Sequence, residues 1–145
     1  MSTETSVQAP DLDDDALVTA FRLGELDPAS FDHAEHVRLG WACLERMPLL
    51  EVLKLFSEGL GHLSRRVGRP DLYHATVTWA FLFVIHERRT RTTIEDERTW
   101  RGFASRNPDL LSDGKAVLET LYRPETLRSQ VARQTFVLPD RLSVA

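Results

Sequence analysis

Histidine is the side chain in this chain best suited to chemistry near neutral pH, because imidazole both titrates there and ligates metals. The five histidines differ in placement. His33 and His36 are three residues apart, on the helical face that also carries Val37, Gly40, Cys43, Leu44 and Met47, while Glu35, Arg38 and Glu45 fall elsewhere on the helix. Both rings are therefore expected to look inward. Side chains at this spacing lie about 5–6 Å apart at Cβ and can converge on one cation. Both also fall in the first turn of the expected helix, where the positive dipole end favours the neutral, ligating imidazole. His74 follows Asp71 by three residues, an expected helix cap, with Tyr73 beside it and Thr78 one turn further on.

Positioning these side chains requires helices, and the sequence reads as helical almost throughout. Asp13–Asp15 open a first helix that Gly24 stops. Asp32 with Glu35 forms a capping-box-like start for a second, running to Met47 before Pro48. Pro48 suits the first turn of a third, with Leu49, Val52, Leu53, Phe56, Leu60 and Leu63 on one stripe to about Val67. Gly68-Arg69-Pro70 breaks the chain. A fourth helix, Leu72 to about Arg89, is capped by Asp71; it is apolar on all sides and so central. A fifth opens at Thr93 and runs to Ser105, stopped by Asn107-Pro108, and shorter helices start near Lys115 and Pro124 before an extended tail, Phe136–Pro139. The fold class is all-α: a single-domain helical bundle of about five to seven helices over residues 13–145, behind a flexible tail of residues 1–12.

Short connections make consecutive helices antiparallel, so the second and fourth helices run parallel. Their starts then share one end of the bundle, which brings His33, His36 and His74 within reach of a common site. His86 and Glu87 are excluded, since 12 or 13 residues at 1.5 Å rise place them about 18–20 Å further along; with Arg88 and Arg89 they read as an ion-pair cluster. His62 lies on the polar face of the third helix with Glu51, Lys54, Glu58 and Arg65, and is expected in solvent. Cys43, about 10 Å beyond His36, reads as packing, as does Gly40 through close helix contact. Trp41, Trp79 and Trp100 read as core anchors.

The 145 residues carry 18 Lys plus Arg against 22 Asp plus Glu, a net charge of −4 that argues against a dedicated nucleic-acid or anionic-membrane binder. The longest unbroken apolar run, Trp79–Ile85, is far short of the roughly 20 residues a membrane span needs. A single cysteine forbids an internal disulfide and Cys-rich zinc patterns. With no basic and apolar leader at the N-terminus, the expected location is cytoplasmic. Walker, Rossmann, G-x-S-x-G and H-E-x-x-H patterns are all lacking. Dimerisation through an apolar helix face is compatible with the pattern and not specified by it.

Two segments carry a family resemblance: Phe31-Asp32-His33-Ala34-Glu35-His36, and Tyr73-His74-Ala75-Thr76-Val77-Thr78, with Pro139-Asp140 near the end. Over most of residues 31–140 the chain resembles a poorly characterised group of small bacterial all-helical proteins with F-x-H-x-x-H and Y-H-x-T-x-T segments. The resemblance supports grouping His33, His36 and His74 and implies no particular reaction. In that group a glutamate often follows the second segment's histidine; here the position is Ala75, so no ligand or acid/base role carries over to it.

The leading expectation is a small metal-dependent helical enzyme acting on a small-molecule substrate. His33, His36 and His74 would hold one divalent transition metal (zinc, iron, nickel or copper), leaving positions open to water or substrate. Tyr73 and Thr78 are the catalytic candidates, the first as a phenol donor and the second as a hydrogen-bonding group, against the commoner case in which such a threonine bonds back to its own helix. One alternative is a metal-free module that cradles a small anion on the two helix N-termini with protonated histidines as donors. Another is a structural or partner-binding helical protein.

Overall fold

The computed structural model describes residues 7–91, 98–112 and 114–141. Among them the chain forms nine α-helices, three of them only five residues long, in keeping with the expected bundle of about five to seven, and no strand beyond an isolated parallel bridge between Val7 and Leu26. The fold is all-α. No helix among the described residues is long and apolar enough to cross a membrane.

Helix α1 (Asp14–Leu23) starts where the Asp13 carboxylate accepts the Ala16 amide at 2.8 Å and ends at Gly24, whose φ of 71° needs no Cβ. Helix α2 (His33–Arg46) is capped as expected, with Asp32 accepting from Glu35 N at 3.0 Å. Helix α3 (Leu49–Arg66) buries Val52, Leu53, Phe56 and Leu63 and leaves His62 exposed.

The stretch expected as a flexible tail is docked from Val7 onward. Val7 exchanges backbone hydrogen bonds with Glu25 and Asp27, Ala9 is fully buried, and the Arg38 guanidinium donates to the carbonyls of Ala9 and Leu12. Arg38 also pairs with Asp14 and Glu35, so one cation ties the N-terminal segment to α1 and α2.

Helix α4 (Ala75–Arg91) starts three residues later than expected. Pro70 instead opens a single 3-10 turn, Pro70–Leu72, and Asp71 pairs with Arg69 at 3.3 Å rather than capping a helix. Nor is α4 enclosed by helices alone. Its outer face is covered by the C-terminal strap, where Phe136 stacks on Trp79 at 5.6 Å and packs on Phe83 at 5.5 Å. The buried Thr76 hydroxyl fastens that strap, donating to Thr135 O at 2.7 Å and accepting from Val137 N at 3.0 Å.

The remaining helices are short: α5 (Trp100–Arg106), α6 (Pro108–Ser112), α7 (Lys115–Leu121), α8 (Pro124–Arg128) and α9 (Gln130–Gln134). The expected opening of the fifth helix at Thr93 lies outside the described residues; α5 is capped by Thr99, which accepts from Gly102 N. Asp140 caps at a distance, its carboxylate accepting from Arg123 N and Thr126 Oγ1 where α8 begins. Tyr122, fully buried, donates to Val137 O at 2.6 Å. The main core, drawn from α1–α7, and a smaller cluster around Ala80, Leu118 and Tyr122 meet across Phe81.

Candidate binding pocket

Contacts between α2 and α4 ascend together: His33 lies against Phe81, and a Cβ on Gly40 would meet Leu82 and Ile85 at 3.1–3.2 Å. The two helices thus run in the same general direction at close approach, with Gly40 permitting the contact. Their starts, however, are out of step. His33 is level with Phe81, seven residues beyond His74, which is about 10 Å along a helix axis.

The consequence is that each candidate histidine meets a different environment. His33 Nε2 donates to Leu110 O at 2.7 Å and its ring stands edge-on to Phe81, with centroids 5.3 Å apart. His74 Nε2 donates to Leu127 O at 2.7 Å, while its Nδ1 accepts the Val77 amide at 3.1 Å. Both His74 nitrogens are thus spent, one of them capping α4 in place of the expected Asp71. Among the described residues no three His, Cys, Asp or Glu side chains are grouped so as to hold a metal ion.

His36 is different. Its ring packs on Phe31 at 4.1 Å, and among the described residues neither nitrogen has a hydrogen-bond partner. It lines a cavity of about 430 Å³ bounded by Pro28, Ala29 and Phe31 on one side, Leu60, Leu63 and Ser64 of α3 with the following Val67 on another, and the start of α4 on the third. Burial pushes its pKa down to about 4; His33 adds to the shift and the Asp32 carboxylate partly opposes it. At neutral pH the ring is therefore uncharged, not the protonated donor expected of an anion-binding module.

Tyr73, His74 and Thr78 line the same cavity. The expected commoner fate for Thr78, a bond back to its own helix, is not made: among the described residues neither the Thr78 nor the Tyr73 hydroxyl has a partner. At each helix start one amide that could hold an anion is engaged by a side chain. Glu35 N is held by Asp32 and Val77 N by His74. Among the described residues no Asp, Glu, Lys or Arg lines the cavity, and at its rim Val67 and Leu72 are 46% and 57% exposed.

Several cavity residues were not singled out as functional in the sequence. Leu60 and Leu63 read as core stripe, and Phe31 only as part of a motif. The carbonyls of Leu110 and Leu127, which decide what His33 and His74 do, carry no side-chain signature at all. Elsewhere, Cys43 is buried packing with its thiol pushed up to about 12, and Arg88, Arg89 and Arg91 pair with Asp109, Glu45 and Glu87. No family model, curated protein or solved structure matches the chain.

Proposed function

We propose that the protein binds a small uncharged molecule in the pocket centred on His36, without a metal. The single observation that carries this reading is a neutral imidazole, free of protein partners among the described residues, on the wall of an otherwise largely apolar cavity of about 430 Å³. That volume lies within the range of about 300–1,000 Å³ usual for small-molecule sites, and a few polar groups on apolar walls is the usual composition. Tyr73 and Thr78 add two hydroxyls to the same wall. A charged ligand would enter a site with no opposite charge to meet it, and would give up more hydration there than a neutral one.

The ring geometry favours this reading over a three-histidine metal centre, since the Nε2 atoms of His33 and His74 are directed at separate carbonyls. The test is a thermal-shift screen on protein purified without a histidine tag, with neutral and anionic fragments run in parallel and metal content measured. Neutral fragments should raise Tm, His36→Phe should abolish the effect, and a chelator should leave Tm unchanged. A stoichiometric metal whose removal collapses the protein would instead establish the metal-dependent enzyme, and binding confined to anions would restore the anion-cradling module.

A further inference from the structure

Beyond His36 the pocket continues inward. A second cavity of about 100 Å³ shares His36, Leu60, Val77 and Thr78 with the first, and its remaining walls are His33 and the apolar side chains of Val37, Phe56, Phe81, Leu82 and Ile85. His33 brings no free donor, because its Nε2–H is spent on Leu110 O. The waist between the two chambers is thus where the unpartnered polar atoms of His36 and Thr78 stand, and the inner end is apolar apart from the His33 ring.

Resting on the proposed pocket, we infer that its ligand is a neutral carbonyl, amide or hydroxyl compound with a short aliphatic end, the polar function held at the waist and the aliphatic end in the inner chamber. The size of that end follows from the volume. An apolar cavity of about 150 Å³ holds benzene, so one of about 100 Å³ suits a group of isopropyl or isobutyl size better than an aryl ring. The floor is closely packed, since Leu82 and Ile85 are almost fully buried and close against Gly40. Burial of each added CH2 strengthens binding about fourfold until the chamber is full.

The test uses acetamide, 3-methylbutanamide and phenylacetamide as probes, followed by methyl NMR on the full chain. 3-Methylbutanamide should bind at least tenfold more tightly than acetamide, bind more tightly than phenylacetamide, and shift the methyls of Val37, Leu82 and Ile85. Val37→Ile, which adds one methyl to the inner wall, should reduce the preference over acetamide to below threefold. Ile85→Val, which removes one, should improve phenylacetamide. Equal binding of all three amides, with shifts confined to Leu63, Val67 and Leu72 of the outer chamber, overturns the inference and leaves the proposed pocket standing. No shift in either chamber with any amide removes both.

Discussion

His36 concentrates the chemistry of this molecule because it is the one candidate histidine the fold leaves uncommitted. Its neighbours His33 and His74 are used as struts, each tying a helix start to a carbonyl on a distant segment. A ring held neutral in the fold makes stability depend on pH in a defined direction. With the folded pKa near 4 and the unfolded value near 6.5, the unfolded chain binds the extra proton between those limits. Stability is therefore full above about pH 6.5 and falls as the pH drops toward 4, by on the order of 3 kcal/mol. Urea unfolding at pH 7 and pH 4.5 should reveal this loss, and His36→Gln should remove most of it; an equal loss in the variant would place the pH dependence elsewhere. The sequence made the inward direction of His36 legible through its 3.6-residue spacing. It could not reveal which of the three rings stayed free, because their partners are backbone carbonyls contributed by residues 53 to 77 positions away.

At the scale of elements, side-chain caps and breakers were legible and relative heights were not. Asp13, Asp32, Gly24 and Pro48 sit at helix boundaries as their chemistry dictates. The start of α4 was misplaced because a 3-10 turn at Pro70 and a histidine cap compete with the ordinary aspartate signal. That shift, with the stagger of α2 on α4, separates His74 from His33. Two substitutions probe how the elements are held. A Cβ at Gly59 would lie 2.3 Å from the Phe21 ring, so Gly59→Ala should destabilise by about 1–3 kcal/mol through overpacking of α1 on α3, although alanine is the better helix former by about 1 kcal/mol. A gain in Tm would show that Phe21 yields freely. Thr76→Val keeps the shape but strands Thr135 O and Val137 N, and should cost about 1–3 kcal/mol in denaturant unfolding, the strap loosening with it. No loss in that variant would mean the strap is held by Phe136 stacking alone.

At the scale of the whole molecule, apolar periodicity and helix caps read correctly as an all-α chain, whereas the pocket itself had no sequence signature. Its walls come from four separate stretches: the 28–31 turn, α2, α3 and the start of α4. Each reads locally as core or loop, and only their assembly leaves space. The molecule thus keeps a neutral, partly apolar chamber between helices whose charged residues pair at the outside, as Arg89 does with Glu45 and Arg88 with Asp109. The most direct test of this account is ring-nitrogen NMR of His36 in protein labelled at histidine, titrated from pH 7 to pH 4 and then at pH 7 with 3-methylbutanamide. The account predicts a neutral imidazole at pH 7, protonation only near pH 4, and a displaced ring-nitrogen resonance when the amide binds. A ring that protonates near pH 6.5, or nitrogens that carry a metal-bound signature and ignore the amide, would contradict it.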